Sequence, residues 1–134
     1  MIAGIGIDAV EITRFNDWKN LPLEKLTKVL SEEEITYCTQ NNNAPERFAA
    51  RFAAREAFYK ALSQTLPGHT IPFFTICKNS KVINEHNGNP QLIVNWKQII
   101  ETYSKPISST FTTFISLTHT NTEATAMVII EKNS

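Results

Sequence analysis

The sequence has no excess of charge of either sign: thirteen Lys and Arg balance thirteen Asp and Glu. That balance excludes the net field of a general nucleic-acid or acidic-surface binder, so no nucleic-acid partner is expected. Cysteine is scarce, and Cys38 and Cys77 stand without CxxC or metal-ligand spacing. Neither a zinc site nor a disulfide framework is indicated, and a reducing, cytoplasmic compartment fits best. No apolar run approaches membrane-spanning length, and the apolar start "MIAGIGIDAVEI" lacks a basic leader region and meets Asp8 and Glu11 too early for a signal peptide. The expectation is a soluble protein with no membrane partner. Repeats and low-complexity tracts are missing too. Arginine is absent beyond Arg55: Arg14, Arg47, Arg51 and Arg55 are the whole set. Guanidinium forks suit phosphate or carboxylate recognition, although solvated helix faces explain any single one equally simply.

What is present fits one domain over residues 1–134, long enough to bury a core. Residues 2–10 alternate around Ile5 and Ile7, with Gly4, Gly6 and Asp8 on the opposite face, which predicts a strand lying close to something and ending near Asp8. Helical signals follow in "ITRFNDW" and "LEKLTKVL", and Ser31 with Glu34 forms a capping box that also explains the acidic triplet "EEE". "NNNAP" is a break, after which Pro45 opens a long helix running to about Ser63. "LPGH" ends it. "FFTICKNSKVINEHNGNPQLIV" reads as strands joined by turns, the clearest being "NGNP"; "WKQIIETYS" reads as a short helix; "TFISLTHTNTEATAMVIIE" gives two strands around "HTNTE".

At about 100° per residue, Phe48, Phe52 and Tyr59 form one stripe of the long helix, and Ala49, Ala50, Ala53, Ala57 and Ala61 form a small-residue face. Glu56 and Lys60 fall at the boundary, and Arg47, Arg51 and Arg55 spread over the other flank. Glu56 and Lys60 have two readings. One is an ordinary i,i+4 surface pair contributing about 0.2–0.5 kcal/mol. The other has Glu56 holding a hard cation and Lys60 meeting the phosphate that the cation also touches, which requires a second carboxylate. Asp8, beside two glycines at a strand end, is the candidate, and its alternative role is a helix cap. Magnesium takes one or two protein carboxylates and completes its shell with water and phosphate, so Asp8 and Glu56 suffice. His119, at a strand end, suits phosphate donation or proton transfer as well as a plain turn contact. His69 and His86 receive no role.

Three stretches in order, "GIGIDAVEITRF", "RFAAREAFYKAL" and "SLTHTNTEATAMVII", with "NGNP" between the last two, resemble the holo-acyl-carrier-protein synthase family over nearly the whole length. The resemblance implies an α+β fold with a long central helix packed on a mainly antiparallel sheet, and a homotrimer with its site between subunits. It implies transfer of 4′-phosphopantetheine from coenzyme A to a serine of apo acyl carrier protein in fatty-acid synthesis, with release of adenosine 3′,5′-bisphosphate. Residue by residue, it makes Asp8 and Glu56 the Mg2+ ligands and Lys60 a phosphate neighbour. Arg51, Gly88, Pro90 and His119 fall at the coenzyme, and Arg14 meets the carrier protein. Three positions depart from the family pattern: Arg55 stands for lysine on what reads as an exposed flank, "SQTLPGHT" replaces a glycine-rich stretch, and Glu123 replaces a tyrosine. The second departure leaves a coenzyme A or nucleotide-binding module, or a regulatory subunit, of the same fold without transfer as the alternative.

Overall fold

The computed structural model describes residues 1–40 and 42–134; Asn41, in the expected break, lies outside the described residues. Strand β1 (Ile2–Glu11) leads through two 3-10 turns, Ile12–Phe15 and Trp18–Asn20, into the short helix α1 (Leu23–Leu26) and then α2 (Glu32–Thr39). The long helix α3 (Ala44–Thr65) precedes α4 (Phe73–Lys78), β2 (Ser80–Asn84), β3 (Pro90–Val94), α5 (Trp96–Thr102), β4 (Phe111–His119) and β5 (Glu123–Lys132). One antiparallel sheet has the order β1-β5-β4, and β2 and β3 form an antiparallel hairpin. This is the α+β arrangement expected, with α3 lying across one face of the three-stranded sheet.

The glycines of β1 explain how closely α3 lies. Gly4 and Gly6 face the helix, and a Cβ at Gly6 would stand 1.9 Å from the carbonyl oxygen of Ala57, one at Gly4 2.1 Å from that of Ala61. Ala53, Ala57 and Ala61 are fully buried opposite them, beside Ala126, Val128 and Ile130 of β5. Small residues on both partners let a strand and a helix touch backbone to backbone, so the expected close approach is to α3 itself. Ile5 and Ile7 accordingly point to the other face of the sheet and are exposed.

The capping box forms as read: Ser31 Oγ accepts from the Glu34 amide, and the Glu34 carboxylate accepts from the Ser31 amide. Ser31→Ala is expected to cost about 1 kcal/mol in urea unfolding, because one cap acceptor is lost. Unfolding within experimental error of the parent would mean that Glu34 alone holds the helix start.

Two expectations are corrected. "FFTICK" is helical, not a strand: the amide of Ile76 bonds to the carbonyl of Pro72, and Ile76 and Cys77 are buried. Proline fixes the helix start, and burial of this apolar pair overrides the strand preference of its aromatic and β-branched residues. Arg55 is also not on an exposed flank. It is completely buried, with its guanidinium bonded to both carboxylate oxygens of Glu34 at 2.7 and 2.5 Å and to the carbonyl of Ser80 at 2.8 Å. Burial by itself would raise the Glu34 carboxyl, but the bond and charge of Arg55, with the Ser31 and Val82 amides, hold it below the usual glutamate range. Both cysteines are free and buried, and burial pushes each thiol up to about 12. They stay protonated near neutrality and behave as small apolar core residues.

Candidate functional site

Asp8 sits near the end of β1 on the helix-covered face, and its Oδ1 lies 3.1 Å from Lys60 Nζ. The same ammonium donates to the carbonyl of Ile7 at 2.8 Å. Lys60 therefore pairs across the helix–strand contact, a link that the i,i+4 surface reading does not contain. Glu56, one turn earlier on α3, has its carboxyl raised, first by burial and then by the negative charge of Asp8; Lys60 and Arg14 oppose the rise. Two carboxylates, one ammonium and the Arg14 guanidinium thus feel one another at one end of the β1–α3 contact. Arg14 rests over the rings of Phe15 and Phe52 at 5.5 and 5.6 Å, which fixes its stem beside Glu56's helix.

Among the described residues, no three His, Cys, Asp or Glu side chains converge closely enough to hold a metal ion by themselves. The Asp8–Glu56 pair fits a cation that draws its remaining ligands from water or substrate oxygens, and the negative charge of Asp8 adds to burial in raising the Glu56 carboxyl.

A second cluster surrounds a cleft of about 330 Å3 whose walls include Arg51, Gly88, Pro90 and His119. These four, far apart in sequence, are brought together around one cleft, while Lys60, also placed at the coenzyme by the motif matching, is not among its walls. The hairpin turn supplies Gly88, whose φ of +85° suits glycine. The start of α3 supplies Arg51, and the end of β4 supplies His119, whose Nε2 lies 3.3 Å from a Glu46 carboxylate oxygen. Other wall residues were given no place in this site from the sequence, among them Tyr37, Glu46, Arg47 and Asn84. Arg47 and Arg51, one turn apart, both stack on the Tyr37 ring, at 4.0 and 4.4 Å from its centre. Arg47 also donates to the Tyr37 carbonyl at 2.7 Å, and Arg51 donates to Asn84 Oδ1 at 3.3 Å. The four-residue step from Arg47 to Arg51 was visible in the sequence, but the aromatic ring beneath them was not. Two neighbouring guanidinium groups held on one ring make a receptor for an anion with several oxygens.

Sheet register relates the two clusters. Asp8 on β1, Ala126 on β5 and Leu117 on β4 form one row, and Val10, Ala124 and His119 form the next. The carboxylate end and the cleft occupy opposite edges of the three-stranded sheet, about 10 Å apart at two strand spacings. His69, in the loop after α3, meets Ser63 at 3.4 Å and accepts the Ile71 amide at 3.2 Å; burial lowers its pKa.

Residues 4–125 match the family model of the 4′-phosphopantetheinyl transferase superfamily, and the chain belongs to that family as a phosphopantetheinyl transferase. Among its relatives, the holo-[acyl-carrier-protein] synthase of Treponema denticola is 36% identical, covering 98% of this chain and 99% of its own. That of Cytophaga hutchinsonii is 35% identical over 99% of this chain and 100% of its own. The ACPS–CoA complex of Chronobacterium ammoniagenes superposes with a TM-score of 0.77 at 25% identity, covering 98% of each chain.

Proposed function

We propose that this chain is a single domain, residues 1–134, that transfers 4′-phosphopantetheine from coenzyme A to a serine of an apo acyl carrier protein. Adenosine 3′,5′-bisphosphate is the leaving product. The observation that carries the reading is that the chain holds both a two-carboxylate, one-ammonium cluster and a guanidinium-lined cleft. A donor with a nucleotide phosphate at one end and a pyrophosphate farther along its length needs both.

Arg51, with Gly88, Pro90 and His119 around it, holds the nucleotide end. Asp8 and Glu56 are the residues that would hold Mg2+, and such an ion would supply charge neutralisation to the pyrophosphate, whose β-phosphorus is taken by the serine oxygen while adenosine 3′,5′-bisphosphate departs. Lys60 places its ammonium on the developing negative charge, where a preorganised donor contributes most. Glu56, on α3 beside Asp8, is the group assigned to accept the serine proton through a water. Arg14 offers an exposed cation to the acidic surface of a carrier protein, a contact that salt should weaken.

The two clusters stand at opposite sheet edges, which suits a homotrimer in which β1 of one subunit and β4 of the next complete one site. The outer sheet face supports this. Ile5, Ile7, Phe114 and Met127 are exposed there, and Ile129, which pairs with both Ile5 and Phe114, lies between the strands that carry them. An apolar face of this kind gains from being covered by a second copy. The coenzyme substrate and the free, buried thiols support a cytoplasmic location.

The test is intact-mass spectrometry of an apo acyl carrier protein incubated with this chain, coenzyme A and magnesium, with an EDTA arm. A gain of one phosphopantetheine group that EDTA abolishes is expected. Coenzyme binding with no gain on any of several carriers would instead favour a non-transferring module, which the "SQTLPGHT" departure motivates. Lys60→Ala is expected to lower turnover about 100-fold with little change in carrier affinity; an unchanged rate would reduce Lys60 to a structural partner of Asp8.

A further inference from the structure

The two halves of the site are built on different supports. Asp8, Glu56 and Lys60 depend on the glycine–alanine contact between β1 and α3. The cleft depends on α2 and β2 as well, because Tyr37 lies under both arginines and Asn84 accepts from Arg51. One buried node ties both α2 and β2 to α3 at once. The Arg55 guanidinium, fully buried in the middle of α3, bonds both oxygens of Glu34 at the start of α2 and the carbonyl of Ser80, the first residue of β2.

We propose that the Glu34–Arg55 ion pair is a positioning device for the coenzyme half of the site, setting Tyr37 and Asn84 against Arg47 and Arg51. The proposal rests on the reading of the cleft as the coenzyme site. Tyr37 is one helical turn beyond Glu34, and Asn84 is at the far end of the five-residue strand that Ser80 begins. A tilt of either element about the node moves a wall of the cleft while the β1–α3 contact stays in place.

Burying two charges is seldom the most stable solution. Apolar replacements of such a pair are often neutral or stabilising, so retention of the pair calls for a gain other than stability. The geometry here supplies one. A guanidinium fork fixes direction as well as distance, and its third bond to Ser80 orients two elements at once. Arg55 Nε has no partner among the described residues, so the group is aligned by this node rather than dispersed over many contacts.

The experiment uses the full chain and two variants, Glu34→Gln/Arg55→Met and Arg55→Lys. Gln keeps the capping-box acceptor, so the double variant removes the charges without removing the cap. Coenzyme A affinity is read by calorimetry, turnover at saturating coenzyme A by carrier mass, and folding by the thermal midpoint. The double variant is expected to keep a midpoint near the parent's, to bind coenzyme A about tenfold more weakly, and to keep saturating turnover within about threefold, because only cleft geometry is disturbed. Arg55→Lys keeps the charge but cannot span both oxygens and Ser80, and is expected to lose about threefold in affinity.

Coenzyme A binding within about twofold of the parent in the folded double variant would overturn the proposal, and so would a parallel fall of affinity, turnover and midpoint. Should the double variant fail to fold, unchanged coenzyme A affinity in Arg55→Lys overturns it. A parent that binds coenzyme A without transfer sinks the proposed function, while the affinity comparison still decides this inference. A parent that does not bind coenzyme A overturns both.

Discussion

Asp8→Asn and Glu56→Gln are each expected to lower phosphopantetheine transfer by about a thousand-fold, with thermal midpoints close to that of the parent. The size follows from what the pair supplies. Charge displacement at a pyrophosphate is catalysed by fixed opposite charge, and a cation held by two carboxylates loses half its anionic anchorage when either becomes an amide. The small effect on stability follows from geometry: Lys60 is half exposed, and a solvated pair of this kind contributes at most about 1 kcal/mol. The assay is initial-rate carrier modification across a magnesium titration. Full activity of either variant in EDTA would remove the metal from the account altogether.

The same pair sets a pH signature. Burial first, and Asp8 second, raise Glu56, so on acidification it takes up a proton at a higher pH than a free glutamate does. In the metal-free protein the Glu56 carboxyl should therefore titrate above the ordinary glutamate range, read by carbonyl NMR in EDTA. Asp8→Asn removes the second cause, so in that variant Glu56 should titrate lower than in the parent. A titration that moves upward in Asp8→Asn would contradict the assigned coupling.

Legibility in the sequence divides along the range of the interactions. The capping box at Ser31 and Glu34 was readable because both partners lie within one turn, and the long helix was readable from Pro45 and an unbroken run of helix formers. Gly4, Gly6 and Asp8 were readable as one strand face, although nothing local says that the element pressed on that face is α3. The matched motifs located Arg51, Gly88, Pro90 and His119, which the fold gathers around one cleft.

Arg55 failed as a surface residue because its environment is set by Glu34, 21 positions away, and by Ser80, 25 positions away. A charged residue on the polar flank of a helix looks solvated until its partner is known. The segment "FFTICK" failed for a related reason: its composition suits a strand, and only the face offered by α3 decides otherwise. Tyr37 was absorbed by the reading of α2 as a capped helix, since a ring that carries two arginines leaves no pattern on its own helix.

Gly6→Ala is expected to destabilise the chain by more than about 3 kcal/mol, the largest stability effect among the substitutions considered, and to abolish transfer with it. The added Cβ would stand 1.9 Å from the Ala57 carbonyl oxygen, 2.8 Å from the Ala61 nitrogen and 2.9 Å from the Ala57 carbonyl carbon. All three are backbone atoms inside α3, so no side-chain rotation relieves the contact and the helix must lift from the sheet. Lifting breaks the Lys60 bonds to Asp8 and Ile7 and separates Asp8 from Glu56, which connects the packing defect to the loss of chemistry. Gly88→Ala is the control. Its φ of +85° makes alanine strained, but a Cβ there meets nothing within 4 Å, so its cost should stay near about 1 kcal/mol. Urea midpoints of the two variants at a common slope separate clash from strain. A Gly6→Ala protein as stable as Gly88→Ala would mean that α3 does not lie against β1 at the separation on which Asp8, Glu56 and Lys60 depend.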